Sequence, residues 1–169
     1  MKPSTRLSTG AAVAVPGMML GLIFSMLLVL APAKPAVADC GPAVSVVVDG
    51  NTKVDGYTQE QLKNAAAIMG AGKTLHLSAK GQMISVMVAL GESGLQVLDT
   101  GDGAGPDSRG LFQQRDNGAW GSYADRMDPT RSATNFIQAL QSVVGWELLE
   151  PTLAGNKVQR NADPYHYQK

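Results

Sequence analysis

Ser78-Ala79-Lys80-Gly81-Gln82-Met83-Ile84-Ser85-Val86-Met87-Val88-Ala89-Leu90-Gly91-Glu92-Ser93-Gly94 is the stretch on which the fold turns. From Met83 to Leu90 seven of eight residues are apolar, and only Ser85 interrupts them. A helix of that composition has no wet face, so it is expected in the middle of a domain. Ser78 is a residue type that caps helix N-termini, and the pattern predicts a helix from there to Gly91. Glu92 stands where that helix ends, between Gly91 and Ser93-Gly94. Of the four glutamates, Glu60, Glu92, Glu147 and Glu150, only Glu92 belongs to the buried element.

Outward from this helix the chain reads as further helices joined by loops. Thr58 and Gln61 have capping-box spacing, and Leu62, Ala65, Ala66 and Met69 recur at helical intervals until Gly70 and Gly72, where the run is expected to stop. Asp128-Pro129 is a cap followed by proline at the first helical position. Phe136, Leu140, Val143 and Val144 mark the inward face of that helix, and Gly145 ends it. A shorter helix is expected from about Thr152 to Arg160, closed off by Pro164. Between them, Asp99 to Gly121 holds Gly101, Gly103, Gly105, Gly110, Gly118 and Gly121, too broken for regular structure of any length; long loops in compact domains are usually functional. Residues 39–56 read as an extended lead-in with one turn at Asp49-Gly50-Asn51, and only Val44 to Val48 has strand character. The class is mainly α, with one domain over 57–169.

Residues 1–38 have the features of an export signal. Lys2 and Arg6 precede a run without charge until Lys34, and Ala36-Val37-Ala38 supplies small residues for cleavage. With those 38 of 169 residues removed, 131 remain, enough to fold unaided. The alternative is an uncut anchor, because the apolar run approaches the roughly 20 residues that span a bilayer. The mature protein is expected to be secreted, or else membrane-anchored on the outer side. Cys40 is the only cysteine, so no internal disulfide forms. Without Lys2, Arg6 and Lys34 there are 11 basic and 14 acidic residues, a charge of −3, which argues against nucleic acid as a partner. His76 and His166 stand far apart, no Cys/His pattern is present, and neither metal nor cofactor is expected.

Glu92 suits acid chemistry. Cleaving a glycosidic bond needs a carboxylic acid that delivers its proton to the leaving oxygen, and apolar surroundings favour the protonated form. The structural alternative is a glutamate in a last helical turn that simply points to water. Asp99, Asp102 and Asp107 are candidates for a second carboxylate or a calcium loop, but the glutamate that closes the calcium pattern is missing. Asp and Gly also suit any exposed turn.

Glu92-Ser93-Gly94-Leu95, Ser108-Arg109-Gly110-Leu111-Phe112-Gln113-Gln114-Arg115 and Trp120-Gly121, in this order, resemble the first two motifs of the lytic transglycosylase and goose-type lysozyme-like superfamily, in its secreted actinobacterial and phage variant. The resemblance continues through Asp128-Pro129, Phe136, Leu140, Gly145-Trp146 and Val158-Gln159-Arg160 to Pro164-Tyr165, nearly everything from Tyr57 onward. It implies a lysozyme-like (α+β) fold with a buried central helix and a glycine-rich active-site loop or small hairpin. It implies cleavage of the β-1,4 bond between N-acetylmuramic acid and N-acetylglucosamine, with Glu92 as single acid and base. Ser93 would orient the carboxylate or the sugar's acetamido group, Gln113 would line the glycan groove, and Gly110 would let the backbone approach the glutamate and substrate. Gln114, Trp120 and Tyr165 complete the expected substrate contacts; for Gln114 and Trp120, loop stabilisation or packing is the competing role. Where better-known members carry Ala-Tyr-Asn-Ala-Gly, this chain has Leu153-Ala154-Gly155-Asn156-Lys157-Val158-Gln159, so groove contacts on that side differ. The partner implied is peptidoglycan, with a separate peptidase or envelope machinery as a further one. The alternative is an inactive peptidoglycan-binding module of a secretion, conjugation or phage apparatus.

Overall fold

The computed structural model describes residues 41–168; the expected signal segment and Cys40 lie outside them. Five helices carry the architecture: α1 (Gln59–Thr74), α2 (Ala79–Ser93), α3 (Tyr123–Met127), α4 (Pro129–Ser142) and α5 (Pro151–Gln159). A single 3-10 turn, Trp146–Leu148, joins α4 to α5. The class is mainly α, as expected. No helix among the described residues is long and apolar enough to cross a membrane.

Local signals start the helices where the sequence places them. The Thr58 hydroxyl accepts from the Gln61 amide, and the Gln61 side chain returns the bond to the Thr58 amide, a complete capping box. Ser78 and Asp128 cap α2 and α4 by accepting from the amides of Gly81 and Arg131, without a returned bond. The short α3 was not expected; its capping box, Ser122 with Asp125, lies just after the glycine-rich stretch. Helix α1 also runs through Gly70 and Gly72 to Thr74. Gly72 is there for packing: a β-carbon at that position would lie 2.9 Å from Gln82 Cγ.

Helix α4 touches each of the other four helices, and α2 touches α1, α4 and α5. Ala133, Phe136, Ile137 and Leu140 form its fully buried stripe, at the i, i+3, i+4, i+7 spacing of one helical face. The Phe136 ring stacks on Phe112 of the long loop, centroids 4.6 Å apart. Two expectations fail here. Val144, assigned to the inward face, is 99% exposed, because α4 ends at Ser142 and the chain turns away. Helix α2 does have a wet side: Met83 and Leu90, seven residues or two turns apart, are 47% and 40% exposed. Its other face, with Ile84, Ser85, Val88 and Ala89, is wholly buried. Composition without polar residues therefore did not mean burial all round.

The lead-in makes its turn at Asp49, whose carbonyl and carboxylate both accept from Thr52. Val44 to Val48 forms no strand. Instead Gln82 uses its side-chain amide as a surrogate neighbour, accepting from Val44 N–H at 2.9 Å and donating to Val44 C=O at 2.9 Å.

The approach of α2 and α5 is closer than ordinary side chains permit. A β-carbon on Gly155 would lie 2.6 Å from Val88 Cγ2, and Val88 is β-branched and buried, so it cannot swing aside. Gly155→Ala should therefore lower stability by about 1–3 kcal/mol, as overpacking does. Gly70→Ala, with nothing within 4 Å of the added carbon, should instead raise it by roughly 1 kcal/mol through helix propensity. Denaturant unfolding of the two variants reads both signs.

Candidate active site

Glu92 is the penultimate residue of α2, and everything around it fixes how that helix ends. Gly94 and Leu95 both take left-handed backbone, φ 62° and 61°, so the chain reverses immediately after Ser93. Leu95 has no glycine freedom, and such a conformation costs roughly 1–2 kcal/mol. Side chains of α1 hold the turn: Gln61 Nε2 donates to Gly94 C=O at 2.7 Å, and Asn64 Nδ2 to Leu95 C=O at 2.9 Å. The half-buried Glu92 faces a groove of about 1210 Å³ between the 98–121 loop, α4, α5 and the C-terminal turn. The groove walls are rich in amides, among them Gln113, Asn117, Asn135, Gln138 and Gln159. Such groups both donate to and accept from sugar hydroxyl and acetamido groups.

The Glu92 carboxylate belongs to a ring of three side chains. Glu92 Oε1 contacts the Tyr167 hydroxyl and accepts from Asn161 Nδ2 at 3.1 Å; the Tyr167 hydroxyl lies 2.8 Å from Asn161 Oδ1. Both neighbours are donors toward Glu92, the amide through Nδ2 and the phenol through its hydroxyl, so the carboxyl group is held in one position at the edge of the groove. Burial, followed by the hydrogen bond and charge of Glu92, pushes the Tyr167 phenol far above its ordinary range. Tyr167 is thus a permanent donor here, and no base.

Tyr167 and Asn161 were not among the residues expected at the site, and Tyr165 was. The Tyr165 ring is exposed and does not line the groove; the alternation of Tyr165-His166-Tyr167 turns the second tyrosine inward instead. Ser93 differs too. Its hydroxyl is buried between Ala89 C=O and Leu111 C=O, at 3.0 and 2.8 Å, and ties the loop to α2 rather than reaching the groove. Gly110, at φ 74°, permits a close approach, but to the backbone of α3: a β-carbon would lie 1.9 Å from Arg126 C=O. Gln114 touches the groove wall yet is 1% exposed, with its amide donating to Ser132 C=O at 3.2 Å and its backbone pairing with Arg109. That pairing is the one β-bridge among the described residues. Gln113 and Trp120 do line the groove, and Trp120 also packs against the core.

The loop aspartates are spoken for. Asp99 holds the Tyr123 hydroxyl at 2.7 Å and Arg109 at 3.1 Å, and Asp107 holds Arg115 and the Asp116 amide. Asp102 borders the groove, where its Oδ1 accepts from the Ala104 and Gly105 amides of its own turn. No group of three or more His, Cys, Asp or Glu arranged for a metal occurs among the described residues. No family model matches the chain, and no curated protein matches it.

The sign of the Tyr167 effect on stability follows from its raised pKa. The folded state keeps the phenol proton more tightly than the unfolded chain, where tyrosine ionises near 10.0. This contribution is complete below pH 10 and is lost as pH rises beyond it. Wild-type stability should thus fall more steeply above pH 10 than that of Tyr167→Phe, as read by denaturant titrations on either side of that value.

Proposed function

We propose that this protein is a lysozyme-like enzyme that cleaves the β-1,4 bond between N-acetylmuramic acid and N-acetylglucosamine in peptidoglycan, with Glu92 as its acid and base. The observation that carries the reading is the ring of Glu92, Tyr167 and Asn161 at the side of an open, amide-lined groove. In it the Glu92 carboxyl is fixed at the groove edge, and an extended polymer has room to lie across it. The sequence resemblance on Glu92-Ser93 and Gly110 to Gln114 supports the same conclusion independently of the groove.

Glu92 protonates the glycosidic oxygen, and the substrate's own acetamido oxygen stabilises the sugar carbon as the bond breaks. The ionised Glu92 then takes a proton from the sugar's 6-hydroxyl, which closes a 1,6-anhydro ring and regenerates the acid. Tyr167 and Asn161 donate to Glu92 while it is charged, so the carboxylate is held in place between the two steps. Among the described residues Asp102 is the only other carboxylate bordering the groove, and two backbone amides occupy it. A route with one carboxylate and an internal nucleophile therefore fits better than one that needs a second carboxylate to activate water.

Digestion of purified wall followed by mass spectrometry tests the proposal. The wild-type protein should release fragments lighter by one water than hydrolytic products, and Glu92→Gln should lower the rate on the order of 10²–10⁴-fold. Fragments of full hydrolytic mass would replace the anhydro route with hydrolysis. Should wild type and Glu92→Gln prove equally inert while both sediment with wall, the protein is a binding module that does not cut.

A further inference from the structure

We propose that Lys157 and Arg160 form a seat for a carboxylate-bearing substituent of the glycan, the peptide stem on the muramic acid unit beside Glu92. The inference rests on the glycan-cleaving reading above and narrows its substrate to strands that carry stems.

Four of the five arginines among the described residues are ion-paired: Arg109 with Asp99, Arg115 with Asp107, Arg126 with Asp116, and Arg131 with Asp125. Arg160 is the fifth, and no carboxylate of the described residues pairs with it or with Lys157. Both side chains are exposed and both border the groove. The two carboxylates that share the groove cannot neutralise them, since Glu92 is engaged by Asn161 and Tyr167, and Asp102 by its own turn. An uncompensated pair of cations is thus left at the wall of a site whose other lining is mostly uncharged.

The backbone at Arg160 points the same way. It caps α5 in the left-handed region, φ 60°, with its N–H donating to Asn156 C=O at 2.7 Å. Glycine or asparagine is the usual occupant of such a cap. The chain instead carries arginine there, one residue before the Asn161 that touches Glu92, and strained positions of this kind collect at ligand sites. Lys157 stands one helical turn earlier, within the Leu153 to Gln159 segment that departs from the family pattern. A guanidinium and an ammonium on one edge suit a carboxylate, which accepts two N–H donors from the first and a point charge from the second. Stem peptides present such carboxylates on muramic acid; a plain N-acetylglucosamine polymer has none.

The test measures binding of soluble glycan strands to Glu92→Gln, with and without Lys157→Gln and Arg160→Gly added. Glycine suits the left-handed cap, so the added changes remove charge without unfolding the domain. Stem-bearing strands should bind about tenfold more tightly at low salt than strands stripped of peptide by an amidase and then capped as a neutral amide at the lactyl carboxylate that the stripping exposes. The difference should vanish in the triple variant and shrink in high salt, while binding of stripped strands stays unchanged. Arg160→Lys should keep most of the preference. Strands freed of phosphodiester-linked polymers by hydrofluoric acid should retain it, which assigns it to the peptide; loss of preference on that treatment would overturn the assignment. Equal binding of both strand types, or equal weakening of both by the added changes, would also overturn it. Wild-type cutting is read separately on the same strands. Cutting without preference sinks this inference alone, and preference without cutting sinks the enzymatic reading alone.

Discussion

Tyr167 reaches Glu92 because α2 and α5 both present a glycine where its ring passes. A β-carbon at Gly91 would lie 2.6 Å from Tyr167 Cδ1, and one at Gly155 would lie 3.3 Å from Cδ2 and Cε2 of the same ring. The ring fills a slot that side chains would otherwise occupy. Its hydroxyl emerges at the groove end of the slot, against the carboxylate of the residue that follows Gly91. Gly155 also brings α5 onto Val88, and α5 in turn leads Gln159 and Asn161 to the groove. Much of the site's geometry thus descends from two missing methyl groups.

The opposite wall is built without helix or sheet, and its rigidity comes from tethers. The Ser93 hydroxyl bonds Leu111, Phe112 stacks on Phe136, and Gln159 Nε2 donates to Phe112 C=O at 2.7 Å. Arg126 adds a buried cation, its side chain 3% exposed. It donates to Asp107 C=O and Gln114 C=O and pairs with Asp116, so one guanidinium gathers three points of the loop. Burying a charge in this way is costly unless every donor direction finds a partner, and here the loop supplies them. A glycine-rich sequence has become a stiff wall.

What the sequence made legible was what chemistry decides over a few residues. The caps at Thr58, Ser78 and Asp128 are local, and each stands where the pattern puts it. Glycines were harder. Gly70 and Gly72 read as helix breakers, whereas tertiary packing carries α1 through both. Gly110 signalled a close approach without saying to what, and the partner is Arg126, not the glutamate. Ser93 was expected to orient the carboxylate or a sugar group, but its hydroxyl serves the loop. Tyr167 and Asn161 left no local trace, since nothing in a Tyr165-His166-Tyr167 run says which ring turns toward a residue on another helix.

Glu92 and Tyr167 are 75 positions apart in the chain, and Glu92 and Asn161 are 69 apart. Contacts of that sequence separation form late, after helices with local partners have collapsed. The constellation is therefore absent from any chain in which α5 and the C-terminal turn have yet to dock, even one whose first helices are already formed. The assembly of this site coincides with the final docking event, which makes the contacts of Glu92 with Tyr167 and Asn161 a stricter gauge of native structure than helical content.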